Sequence, residues 1–230
     1  MFITPAQWKS MTPSERIEEL QQQVDMRTSS EQPSTTLSVG RFNPGPSKYG
    51  EYDSQSHALR LNDDLINQDT PYAAMETLHH EYRHSYQEYV ATEHPELAQS
   101  PQQLADFQKN PTGYIRPSTD YSMYHSQPIE VDARNYARKQ MEATYGQLND
   151  PDYAAYRQAR DQEAEYAQRS AELMYGNDHE DIARQTVYDI YDYKQSQAQD
   201  THEATTNDQT HTTPTEAESE SQKTGYTRRR

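Results

Sequence analysis

Residues 76–87 read ETLHHEYRHSYQ, with three histidines and a glutamate between positions 79 and 84. His80, Glu81 and His84 form an H-E-x-x-H sequence. On an α-helix, side chains four positions apart share a face, with Cβ atoms about 5–6 Å apart. Two imidazoles so placed can each aim one ring nitrogen at a single cation, at about 2.0–2.1 Å for zinc. The Glu81 carboxylate lies slightly off that line and is expected to reach a water activated by the ion. Such a water, its pKa lowered, can lose a proton to Glu81 near neutral pH. His79 is turned about 100° from His80 and is not expected to be a ligand.

The histidine pair needs a third protein ligand. A His six residues after His84 would give the metzincin extension, but that position is Val90, and Gln87 stands where that pattern has Gly. The alternative is a glutamate from a later helix. The stretch QPIEVDARNYARKQM supplies Glu130, with Ala133, Ala137 and Met141 on its helical face. Small residues there would let this helix approach the first closely. His94 and His125 are rival ligands. Asp132 is rotated by about 200° from Glu130 and is expected to be a first-turn acid favoured by the helix dipole. A hydrolase also needs a donor for the developing oxyanion. In DYSMYHSQP, Tyr121, Tyr124 and His125 are available, and Tyr124 and His125 lie nearest the ligand. Glu76 and Glu88, four residues from His80 and His84, are candidate acceptors for the ring N–H groups.

These residues need elements to position them. Thr70 as cap and Pro71 at the first helical position open a helix over 71–91 that has no internal Gly or Pro. Met75, Leu78, Tyr82 and Tyr89 fall roughly opposite His80 and His84, so one side should meet a core while the other faces a cleft. A second helix begins with Pro128 in its first turn and ends at Gly146. Upstream, MTPSERIEELQQQV carries a capping box of Thr12 and Glu15 with Pro13 first in the helix, and Ile17, Leu20 and Val24 on one face. STTLSVGRF reads as a strand stopped by the turn cluster NPGPSKYG. HALRLN reads as a second, half-buried strand with Leu59 and Leu61 inward. A short helix between loops is expected in 93–117, and two further helices follow Gly146. Their tyrosines (Tyr153, Tyr156, Tyr166, Tyr175, Tyr188, Tyr191) are expected to pack.

Composition bounds the rest. Of 230 residues, 31% are hydrophobic, and the mean hydropathy is −1.27. Nineteen tyrosines against three Phe and one Trp point to a wet core in which phenols need hydrogen-bond partners. The organisation expected is an N-terminal helix region over 1–30, a domain over 31–195 and a disordered polar tail over 196–230. The net charge of −16 argues against nucleic acid and anionic membrane as partners. With no cysteine, disulfides, thiolate catalysis and Cys-ligated zinc are excluded. No secretory signal pattern or apolar run of about 18 residues is visible, which makes a cytoplasmic location the default.

LHHEYRHSYQ followed by PIEVDARNYA resembles the zincin metallopeptidases of the gluzincin type. The closest likeness is to the compact bacterial and phage-associated group that includes the ImmA/IrrE-like proteins. The resemblance spans roughly residues 35–145. It implies an α+β fold in which a small sheet packs on the metal-binding helix, with a helical C-terminal part. It also implies zinc on His80, His84 and Glu130, Glu81 as general base, and a protein or peptide substrate laid along the edge of HALRLN. Arg83, Ser85, Tyr86 and Gln87 are more polar than the small or apolar residues usual after the motif in that group. The alternative function is a catalytically silent zincin-like interaction module of a phage or mobile element.

Overall fold

The computed structural model describes residues 2–46 and 48–209, with side chains through residue 199. Two proline-led helices begin the chain. In α1 (Pro5–Ser10) and α2 (Pro13–Glu31), Thr4 and Thr12 each cap the helix and donate their own backbone N–H in return to the side-chain oxygen of Gln7 and Glu15. The second capping box is the expected one, and the first was not anticipated. Leu20 and Val24 are buried with Ile17 packed beside them. Trp8, on α1, is fully buried and donates its indole N–H to the Gln68 carbonyl at 2.9 Å.

Three strands follow: β1 (Ser38–Phe42), β2 (Gly50–Asp53) and β3 (Ala58–Asn62), in the order β1-β3-β2. β1 runs parallel to β3 with Ser38 opposite Ala58, and β2 runs antiparallel with Gly50 opposite Leu61. The alternation in HALRLN holds, since Leu59 and Leu61 are fully buried while Ala58 and Arg60 are half-buried. Its position in the sheet corrects the sequence analysis. β3 is the central strand, paired on both sides, and has no free edge for a peptide. The available edge next to α4 belongs to β2, a strand whose four residues GEYD carry no apolar alternation and so gave no signal.

After α3 (Asp63–Ile66), the central helix α4 runs Tyr72–Thr92. It starts one residue later than expected. Pro71 is itself the N-cap, with no side-chain hydrogen bond, and Thr70 lies outside. Met75, Leu78, Tyr82 and Tyr89 are buried, as the face analysis requires. A 3₁₀ turn (Pro95–Leu97) and α5 (Pro101–Gly113) lead to α6 (Tyr121–Ser126), a short helix not anticipated from the sequence. α7 (Pro128–Tyr145) then packs along α4, with Ala133 and Ala137 fully buried between them and Gly146 at the C-cap. α8 (Pro151–Tyr175) and α9 (His179–Gln209) complete the described chain.

The architecture is α+β: nine α-helices and a three-stranded mixed sheet among the described residues. The core does use tyrosine. Tyr72, Tyr82 and Tyr145 are fully buried, and two of their hydroxyls find acceptors, Tyr72 on Asp150 at 2.6 Å and Tyr145 on the Ile3 carbonyl at 3.3 Å. In the later helices the Tyr stripe packs only in part, since Tyr166 is 74% exposed. The described residues through Tyr191 form one compact unit, and a second begins at Asp192. α9 continues past residue 195, where the tail was expected to begin, with neither Gly nor Pro between Gly176 and Pro214 to stop it. The rest of that expected tail, including Arg228–Arg230, lies outside the described residues. Among the described residues, no helix is long and apolar enough to cross a membrane.

Candidate metal centre

α4 presents His80 and His84 on one face, and α7 brings Glu130 in from its first turn. The two Nε2 atoms are 3.1 Å apart. Glu130 Oε2 lies 3.1 Å from His80 Nε2, and Oε1 lies 3.5 Å from His84 Nε2. Four-coordinate zinc at about 2.0–2.1 Å from its ligands would set ligand atoms roughly 3.3 Å apart. The donor atoms therefore already stand at the spacing of a shared tetrahedral ion. Glu130 is 2% exposed, and its Oε2 accepts no hydrogen bond despite its proximity to His80. A buried carboxylate oxygen without a donor is costly unless a cation completes it. Two imidazoles and one carboxylate suit zinc, so these residues fit the implied ion.

Two of the three ligands are held from behind. Tyr114 donates its hydroxyl to Glu130 Oε1 at 2.9 Å, leaving Oε2 to face the histidines. Burial alone would raise the Glu130 pKa, but His84, His80 and the Tyr114 hydroxyl outweigh it and hold the carboxyl well below its ordinary range. Burial, with the charge of Glu130, drives the Tyr114 phenol far up, so it stays a donor. His84 Nδ1 sits 2.9 Å from Gln87 Oε1. Because an amide oxygen can only accept, Nδ1 is the donor of this pair, which leaves Nε2 facing the site. Gln87 in turn donates to the Ile129 carbonyl at 2.9 Å and to Asp132 Oδ2 at 2.7 Å, and Arg83 grips Asp132 with two N–H groups.

Glu81 points to the same face without joining the ligand set. Burial pushes its carboxyl up to about 7, with His84 opposing the shift and Glu130 adding to it. A carboxyl poised there can take and return a proton near neutral pH. β2 runs directly over it. A Cβ on Gly50 would come within 2.5 Å of Thr77 Cγ2 and 3.0 Å of Glu81 Cγ, so only glycine allows this approach. Asn62 N–H donates to the Tyr49 carbonyl at 2.8 Å. Antiparallel alternation then turns the backbone groups of Gly50 and Tyr52 away from β3, toward the free edge. That edge borders a cleft of about 1380 Å³ containing His80, Glu81, His84 and Glu130.

The other expected residues divide. Tyr124 and His125 both line the cleft from α6. Tyr124 lies near Glu130 and Glu81, and burial first, then their charges, raise its phenol far above its usual range. His125 is not part of the ligand group, and burial with nearby Arg134 lowers it to about 4, so it is neutral. His94 is paired with Glu96 at 2.9 Å beyond the end of α4 and is no ligand. His79 is 1% exposed in the core, as its rotation demanded. Glu76 and Glu88 are not the acceptors for the histidines. Tyr156 and Arg160 of α8 occupy Glu76, and Tyr52 donates to Glu88 at 2.5 Å. Asp132 is not a ligand, and it is not the first-turn acid expected either, since α7 begins at Pro128 and Glu130 is the acid of its first turn; Asp132 instead ties Arg83 to Gln87. The sequence analysis missed Tyr114, and it treated Gln87 only as a departure from another pattern.

No family profile, curated protein or solved structure matches this chain.

Proposed function

We propose that this protein hydrolyses peptide bonds with the help of a zinc ion, in the manner of the gluzincin-type zincins. The observation that carries the reading is the convergence of His80, His84 and Glu130, whose Oε2 stands 3.1 Å from His80 Nε2, beside a buried general-base candidate, Glu81. His80, His84 and Glu130 would hold the ion, which when bound polarises a carbonyl and acidifies a water. Glu81 accepts the proton of the attacking water and returns it to the leaving amine. Tyr124, protonated and beside the site, supplies a hydrogen bond to the carbonyl oxygen as it gains charge. The substrate backbone lies along the edge of β2, meeting the outward groups of Gly50 and the Tyr52 carbonyl, while the Tyr52 N–H donates to Glu81. A metal held for structure alone would give no reason to bury a carboxylate at Glu81.

Metal analysis and cleavage test this together. Native protein is expected to carry about one zinc per chain, lost in the His80→Ala/His84→Ala double variant. Glu81→Gln should keep the metal and lose chelator-sensitive cleavage of a peptide library. Turnover surviving in Glu81→Gln would refute the mechanism.

A further inference from the structure

The cations lining the cleft are mostly neutralised within the chain. Lys48 pairs with Glu51, Arg138 with Asp161, and Arg160 with Glu76 and Glu163. Arg116 is exposed at the rim. Arg134 differs from all of these. It is half-buried and stands on α7 one helical turn after Glu130, so its side chain leaves the same face. Among the described residues its one hydrogen bond goes to the His125 backbone carbonyl, through a single Nη2 atom. No described carboxylate oxygen lies within 4.0 Å of it. Burial disfavours its charge, and Glu130, Tyr124, Tyr121 and Glu180 offset this only from a distance. This occurs in a chain with 37 acidic and 21 basic residues, where carboxylates are in surplus. A guanidinium offers five N–H donors in a fork that matches a carboxylate, and most of that fork stays open to the cleft. Tyr121, Tyr124 and His125 line the same cleft, with ring centroids of Tyr121 6.1 Å from Tyr124 and 6.2 Å from His125.

We propose that Arg134 is a specificity-determining residue that receives a carboxylate of the bound peptide next to the reacting bond. The inference rests on the hydrolase reading of the same site. The carboxylate has two possible sources, an acidic side chain or the free C-terminus of the peptide, and both present the same chemistry to the guanidinium.

The test uses full-length Glu81→Gln protein loaded with zinc, so that bound peptide is not consumed. N-acetylated randomised hexapeptide mixtures are offered in four forms, with or without Asp and Glu and with free or amidated C-termini, and retained peptides are measured by mass spectrometry. One carboxylate form is expected to be enriched about tenfold or more. The form enriched identifies the source. The enrichment should vanish in Glu81→Gln/Arg134→Gln while retention of neutral, amidated peptides is unchanged, and Arg134→Lys should keep part of it. A loss of the His125 tie alone would weaken all four forms equally. Equal retention of the four forms, enrichment that survives Arg134→Gln, or no saturable retention at all would overturn the proposal. The comparison among forms needs no change at Arg134, so it stands even if Arg134→Gln fails to fold. Carboxylate-selective binding without cleavage by the unaltered protein would defeat the hydrolase reading alone. Cleavage without carboxylate selectivity would defeat this proposal alone.

Discussion

The Tyr114 hydroxyl donates to Glu130 Oε1 at 2.9 Å, while Oε2 of the same buried carboxylate has no donor. One oxygen is fixed by the protein and the other is left for a cation. Tyr114→Phe should therefore weaken zinc binding by about 10- to 100-fold, as loss of a hydrogen bond behind a metal ligand does elsewhere. Titration against a competing chelator measures this, and unchanged affinity would show that Tyr114 does not orient Glu130.

Gln87 joins three groups, His84 Nδ1, the Ile129 carbonyl and Asp132. Gln87→Leu fits the volume but removes a hydrogen bond from each, leaving His84 Nδ1 without its acceptor while Asp132 keeps Arg83. The expected cost is roughly 1–3 kcal/mol in unfolding free energy, together with reduced zinc affinity. Denaturant unfolding with and without chelator separates the two effects.

Gly50→Ala places a methyl against Thr77 and Glu81. Thr77 is β-branched on a helix and cannot easily turn aside, so β2 must move off α4. Overpacking of this kind costs about 1–3 kcal/mol. Peptide cleavage should fall while zinc content stays at the native level, because none of the three ligands is on β2.

His125 gives the pH prediction. Burial, then Arg134, with His179 and Arg160 adding and Glu130 opposing, lowers it from 6.5 to about 4. The unfolded chain thus binds an extra proton between those values, so stability is lost as pH falls from about 6.5 toward 4. In unfolding curves across that window, His125→Gln should show a shallower decline than the native protein.

The sequence revealed the parts of the site that local geometry dictates. His80 and His84 share a face because they are four apart, His79 is excluded because it is one step away, and Glu130 is singled out by the small residues on its helix. What stayed hidden depends on contacts distant along the chain. Tyr114 sits just past the end of α5 and meets Glu130 only because α5 and α7 pack together. Asp132 gains its role from Arg83, a residue of α4. The free sheet edge was assigned to the wrong strand, because pairing order is not written into a single strand's alternation, and GEYD has none.

α4 carries core and chemistry on opposite flanks of one rod, with His79 at 1% exposure beside the cleft-facing His80. Each residue added to or removed from its first two turns would swing everything after it by about 100°. Either change would pull the donor imidazoles out of line and wedge polar groups among Met75, Leu78 and Tyr82. Over the course of descent, this stretch can exchange letters yet can hardly alter its length.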